Sequence, residues 1–118
     1  MKNNNIIVTK SRDFAVKIIR LYQFLSSEKK EYVLSKQILR SGTSIGANIK
    51  EAIRGQSKAD FYAKLNISLK ESSETEYWLD LLHETKYIND DLFQVMRSDN
   101  IELSKILTAI LKTRSKKT

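Results

Sequence analysis

The chain has 118 residues, of which 41% are hydrophobic, and it contains no proline, no cysteine and only three glycines. This composition predicts a single all-α domain over residues 1–118 and argues against an all-β fold, a disulfide framework and a cysteine-based zinc site. The net charge of +7 favours polyanionic partners such as nucleic acid, although such a charge also serves solubility alone. Because the apolar runs are too short for a membrane span or a signal peptide, we expect a cytoplasmic protein with no membrane partner.

The first predicted helix covers residues 11–27. Apolar side chains recur at helical spacing from Phe14 to Leu25, and Ser11 is a plausible N-cap residue. A polar connection follows. The second predicted helix covers residues 34–55, because Gly55 is a typical residue just past a helix C-terminus.

Small residues interrupt one face of this second helix. Gly42 and Gly46 lie four positions apart, so they stack on one side, although each interior Gly costs about 1 kcal/mol relative to Ala. Close approach of another helix, from the same chain or from another subunit, would offset this cost through dispersion contacts. The alternative is a local kink with no partner.

An amide also falls on an apolar stripe of the second helix, at Asn48. A buried amide needs hydrogen-bond partners, and hydroxyls at Ser68, Ser72 and Thr75 on the third helix are candidates. Ser41, on the same stripe as Asn48, can instead bond to its own helix backbone. We expect a polar layer that fixes helix register, with ligand binding as the alternative.

A third stripe of the second helix is basic. Its cations are Lys36, Arg40, Lys50 and Arg54. Cations repeated at fixed spacing suit a phosphate backbone, so this stripe is a candidate site for RNA or DNA, and the tail from Lys112 to Lys117 could add a flexible contact. An ordinary solvated face is the alternative. Arg40 could also pair with Glu51 or with another acid across a subunit boundary.

Two further helices follow. Ser57 and Asp60 are spaced as a capping box at the start of a helix over residues 58–86, and Asn89 can cap a helix over residues 90–114. Four long helices with short connections predict an antiparallel up-down four-helix bundle. The residues expected in its core include Ile38, Ile45, Phe61, Leu65, Leu79, Met96, Leu103 and Ile106.

The sequence offers little for catalysis. Asp80 and the single histidine, His83, are spaced like half of a di-metal site, but there is no second pair. We therefore predict no catalytic residue, no metal and no cofactor. Tyr77 and Trp78 are expected in the core or at an interface rather than as a base-stacking platform.

Two segments, EYVLSKQILRSGTSIGANIKEA and SKADFYAKLNISLKESSETEYWLDLL, resemble the 23S rRNA intervening-sequence protein family. The resemblance covers about residues 14–111. It implies a bacterial cytoplasmic four-helix bundle that assembles into a homo-oligomer, typically a pentameric ring, with no enzymatic activity. The family's recurring positions fall on Arg40, Ser44, Ile45, Ala47, Asn48, Ile49 and Glu51.

The chain also looks related to the accessory protein of diversity-generating retroelements, which binds nucleic acid and a reverse transcriptase. This likeness keeps a second function open. The chain could be a protein-interaction scaffold or an accessory subunit of a separate enzyme.

Overall fold

The computed structural model describes the backbone of residues 2–115 and the side chains of residues 6–114. Its four helices are α1 (Lys2–Ser27), α2 (Leu34–Ile53), α3 (Lys58–Glu84) and α4 (Asp90–Ser115). Each helix packs on its sequence neighbours and α4 closes on α1, whereas diagonally opposite helices make no close backbone approach in the described part. The result is an antiparallel up-down four-helix bundle of 49 × 22 × 20 Å, which confirms the predicted fold class.

Two predicted helix caps are present. The Ser57 hydroxyl accepts a hydrogen bond from the Asp60 amide at 3.0 Å, and the Asn89 side-chain oxygen accepts one from the Leu92 amide at 2.9 Å. These bonds satisfy amides that have no partner within the first turn of α3 and α4. The helices α2 and α3 each end two residues earlier than predicted, at Ile53 and Glu84.

The cap of α2 was not predicted. Glu31 accepts hydrogen bonds from the backbone amides of Ser35 at 2.7 Å, Leu34 at 3.0 Å and Val33 at 3.2 Å. Glu31 is only 8% exposed, and the Ser35 hydroxyl donates a hydrogen bond to the backbone carbonyl oxygen of Glu31 at 2.8 Å. This one carboxylate therefore accepts hydrogen bonds from the free backbone amides at the start of α2, and its negative charge is favourable near the positive end of the helix dipole.

The prediction that Ser11 caps the first helix is wrong. The helix α1 begins at Lys2, and Ser11 is a buried residue inside it whose hydroxyl donates to the carbonyl oxygen of Val8 at 3.2 Å. No proline or glycine precedes Ser11 to stop the helix. Ile7, which is also buried, extends the apolar stripe of α1 back from Phe14 by about two turns.

The glycines of α2 contact α1 of the same chain. A Cβ atom at Gly42 would lie 2.6 Å from Cγ1 of Ile18, and one at Gly46 would lie 3.3 Å from the Ser11 hydroxyl and 3.5 Å from its carbonyl oxygen. The α2 helix is continuous through both positions. The close approach expected from the spacing is thus made within the bundle, so these glycines no longer require a contact with another subunit.

A polar layer crosses the bundle core, but Asn48 is not part of it. Asn48 is half-buried and donates to the Ser44 carbonyl oxygen of its own helix at 2.8 Å. The buried amide is Asn100 of α4, which exchanges hydrogen bonds with Ser72 of α3. Because Asn100 is four residues after the buried Met96, on the same stripe, its spacing could have revealed it.

Two other hydroxyls of α3 bond to α2. Ser68 donates to the Ile45 carbonyl oxygen at 2.8 Å, and the Thr75 and Ser41 hydroxyls lie 2.9 Å apart. All three hydroxyls predicted to form this layer are therefore satisfied without Asn48. The expected core residues found buried are Ile38, Ile45, Leu65, Leu79, Met96 and Leu103. Phe61 and Ile106 are half-buried at the edge of this core.

Candidate nucleic-acid interface

The basic stripe of α2 spans almost the whole helix. Lys36, Lys50 and Arg54 are all exposed, and Thr43, half-buried, lies between them. From Lys36 to Arg54 the helix rises about 27 Å at 1.5 Å per residue. The stripe therefore places one cation near the start of α2 and two near its end.

Arg40 is held in ion pairs with α3. Its guanidinium donates to Glu71 Oε2 at 3.1 Å and to Glu74 Oε2 at 2.5 Å. The hydrogen bonds to Glu71 and then Glu74 raise the pKa of Arg40 above its ordinary value. The acids that pair with Arg40 therefore belong to the same chain, and neither is the Glu51 considered from the sequence.

Trp78 belongs to this network as well. Its indole N–H donates to Glu74 Oε2 at 3.0 Å, and this bond, together with the Arg40 pair, lowers the pKa of Glu74. Trp78 is half-buried, in edge-to-face contact with Tyr77, which is 57% exposed. The indole is thereby committed to an intramolecular hydrogen bond.

Lys50 and Arg54 lie together beside two clefts. The larger, of about 730 Å³, also contains the carboxylates of Glu51 and Asp60. Glu51 is paired with Lys64 at 3.0 Å, and that hydrogen bond raises the pKa of Lys64. The smaller cleft, of about 420 Å³, is lined by Val8, Thr9, Lys50, Ile53 and Arg54 and holds no carboxylate.

The cations at the end of α2 form no ion pair with the described side chains. Within residues 6–114, neither Lys50 nor Arg54 has an ion pair, and the same holds for Lys36. Of the four predicted contacts, the structure thus brings together Lys50 and Arg54, leaves Lys36 apart and engages Arg40 elsewhere. The tail residues Lys116 and Lys117 lie outside the described residues.

An apolar groove lies next to these cations, between α1 and α2. It has a volume of about 270 Å³, and its apolar walls include Val8, Ala15 and Ala47. Arg12 and Lys50 border it. Val16 and Ile19 on α1 remain 40% and 41% exposed. This helix pair therefore presents apolar surface together with positive charge.

His83 does not form a metal-ligand pair with Asp80. Its Nε2 lies 2.6 Å from Asp90 Oδ1, and its ring stacks on Phe93 at a centroid distance of 4.0 Å. Across the described residues, no group of three or more His, Cys, Asp or Glu side chains is arranged to hold a metal ion. Nor does any described helix combine the length and apolarity that a membrane span requires.

Comparisons with known proteins agree with this fold. The family model of the 23S rRNA-intervening sequence protein matches residues 3–109. The chain belongs to this family. A solved structure from Bacteroides thetaiotaomicron VPI-5482, described as a protein with unknown function from the S23 ribosomal protein family, superposes with a TM-score of 0.92 at 55% identity. The match covers 93% of this chain and 98% of that chain.

The comparisons supply no catalytic assignment for this family member. A search of curated proteins gave no match. Neither the family description nor the description of the solved relative refers to an enzymatic activity.

Proposed function

We propose that this member of the 23S rRNA-intervening sequence protein family is a non-enzymatic protein that binds nucleic acid through α2. The observation that carries the proposal is the pair of exposed cations, Lys50 and Arg54, beside a cleft without carboxylates. Lys36 adds a third contact about 20 Å further along the helix. Such contacts bind phosphates without reading base sequence, which suits RNA or DNA.

We also propose that the chain acts as a homo-oligomer, most simply a pentameric ring. The glycine face no longer supports this idea, because α1 covers it. The support comes from the exposed apolar residues of α1 and from the family resemblance. In a ring, the basic end of α2 would be repeated once per subunit, so that several weak phosphate contacts act together.

The test measures the binding of a labelled single-stranded RNA and of a labelled DNA duplex by fluorescence anisotropy at several salt concentrations. A triple variant, K36E/K50E/R54E, should lose binding, while the wild type binds at low salt. In a milder K36Q/K50Q/R54Q variant, the slope of log affinity against log salt should flatten by about 2–3, since each phosphate contact contributes about 0.7–0.9.

A matched control is available in R20E/K70E/K105E. These three side chains are exposed and have the same residue types, so the net charge changes equally. The control should retain most of the binding. Equal losses in both triple variants would show that only net charge matters, and no wild-type binding at low salt would overturn the proposal.

Oligomeric state is measured separately, by sedimentation or light scattering at micromolar concentration. A monomer would overturn the oligomer proposal and leave the nucleic-acid proposal to be judged on its own data. All three triple variants should keep the wild-type oligomeric state.

The apolar groove between α1 and α2 favours a second candidate function. Its apolar side chains, bordered by Arg12 and Lys50, could dock a different protein, as an accessory subunit of an enzyme such as a reverse transcriptase would. Recovery of one stoichiometric protein partner, with no nucleic acid bound, would favour this function over the first.

A further inference from the structure

A further cleft lies at the opposite end of the bundle from Lys50 and Arg54. It has a volume of about 570 Å³ and forms where α1 ends and where the chain turns from α3 into α4. Its volume falls within the range of about 300–1,000 Å³ typical of small-molecule sites. The side chains used below are Phe24 in the last turns of α1, Lys29 just after it, and His83, Lys86, Tyr87 and Asp90 around the turn from α3 into α4.

Two aromatic rings and two ammonium groups are among the side chains that line this cleft. Phe24 and Tyr87 are both half-buried and both line the cleft. The Lys29 ammonium lies 5.7 Å from the centroid of the Phe24 ring. Lys86 is exposed and directly precedes Tyr87. A ring surface and a positive charge are thus available on each of the two segments.

The side chains that line the cleft carry an excess of positive charge, since Lys29 and Lys86 stand against one carboxylate. Asp90 is the only carboxylate that lines it, and its Oδ1 is already bonded to His83 Nε2 at 2.6 Å. Within the part of the chain that carries described side chains, neither Lys29 nor Lys86 forms an ion pair. An anion entering the cleft would therefore meet two ammonium groups.

Lys86 occupies a backbone position that ordinarily favours glycine. Its φ of 69° is left-handed, as is that of Lys30, which has a φ of 55°. Lysine near a helix C-terminus also interacts favourably with the helix dipole, so the backbone alone does not indicate a ligand. What distinguishes the two residues is that Lys86 lines the cleft and Lys30 does not.

We propose that this cleft binds a nucleotide, with the phosphate between Lys29 and Lys86 and the base against Tyr87, because the Lys29 ammonium already lies over the Phe24 ring. Every base has a π-face that can stack on an aromatic ring, and lysine ammonium groups bind phosphate as point charges. The proposal does not depend on the α2 interface, because the cleft is at the other end of the bundle. The shared chemistry is a phosphorylated nucleoside, either free or at the end of a strand.

The experiment titrates the full chain with AMP and follows amide shifts by NMR. Lys86→Gly removes the ammonium group and also relieves the left-handed backbone, so this variant should fold at least as well as the wild type. Its affinity for AMP should fall at least about ten-fold. Lys30→Gly is the matched control: it makes the same backbone change outside the cleft and should bind AMP as the wild type does.

Further arms separate the parts of the ligand and its source. Adenosine and inorganic phosphate should each bind at least about ten-fold more weakly than AMP. The Tyr87→Leu variant should bind AMP more weakly than the wild type does. A 5′-phosphorylated RNA pentamer that binds more tightly than AMP would identify a strand end, and the reverse order a free nucleotide. Equal AMP binding by Lys86→Gly and Lys30→Gly, or no wild-type binding of AMP or the pentamer at millimolar concentration, would overturn the proposal.

Discussion

Ser72 and Asn100 bind each other across the α3–α4 interface through two hydrogen bonds. The Ser72 hydroxyl donates to Asn100 Oδ1 at 2.8 Å, and Asn100 Nδ2 donates to the Ser72 carbonyl oxygen at 2.9 Å. Both residues are almost completely buried. The pair can form in only one alignment of the two helices, so it selects their register as well as contributing stability.

Asn100→Ala should lower the free energy of unfolding by about 1–3 kcal/mol, because it leaves the buried Ser72 hydroxyl without its main acceptor. Urea unfolding followed by circular dichroism measures the change. Ser98→Ala, at an exposed position of the same helix, should stay within about 0.5 kcal/mol of the wild type. In a double-mutant cycle with Ser72→Ala, strict additivity would contradict the pairing.

Replacing each of the two glycines of α2 by alanine should have different effects on the stability of the protein. At Gly42 a Cβ would meet Cγ1 of Ile18 at 2.6 Å, so overpacking should exceed the gain of about 1 kcal/mol in helix propensity. At Gly46 the nearest atom is the Ser11 hydroxyl at 3.3 Å. We expect Gly42→Ala to destabilise the protein by about 1–2 kcal/mol and Gly46→Ala to be near neutral.

Thermal unfolding of the two alanine variants measures this difference directly. Each variant serves as the control for the other, because both make the same substitution in one helix. A higher melting temperature for Gly42→Ala than for the wild type would show that α1 does not pack closely at Ile18.

The start of α2 should depend on a residue outside the helix. Glu31→Ala removes the acceptor of three backbone amides and should cost about 1–2 kcal/mol of stability. Denaturant unfolding measures this loss of stability. Glu28→Ala, a substitution at an exposed position of the same connection, is the control. Equal stability of the two variants would exclude a capping role for Glu31.

Periodicity and turn chemistry predicted the four helices and most core positions, because these features depend on local spacing and on the burial of one face. The start of α1 was missed since Ser11, a common cap residue, is equally able to bond back to its own helix when buried. The Glu31 cap was missed because a carboxylate four residues before its main amide partner is not one of the usual capping patterns.

The candidate site was only partly predictable for a different reason. Spacing placed the four cations on one face of α2, and the exposure of Lys36, Lys50 and Arg54 agrees with that placement. Whether a given cation is already neutralised depends on which helix packs alongside. The Arg40 pairs with α3 could therefore not be assigned before the order and alignment of the helices were known.

Glu74 links the ion-pair network to the only tryptophan, which makes its titration measurable. The hydrogen bond from Trp78 and the pair with Arg40 lower the pKa of Glu74 below its ordinary value of 4.5. A carboxyl group with a lower pKa in the folded state stabilises the fold above its unfolded pKa. That contribution is lost as pH falls through the folded pKa, which lies in the acid range below about 4.5.

Glu74→Gln should therefore be less stable than the wild type at neutral pH and should approach it in acid. The difference should stay below about 1 kcal/mol, because the Glu74 side chain is 37% exposed and solvent screens the pair. The fluorescence emission of Trp78 should change below about pH 4.5 in the wild type, because the indole loses a charged acceptor. In the variant the emission should not change with pH as long as the protein stays folded. Glu84→Gln, at an exposed site of α3, should retain the wild-type profile. Parallel profiles for the wild type and Glu74→Gln from pH 2 to 7, measured by stability and by emission, would show that Glu74 is not coupled to Trp78 and Arg40.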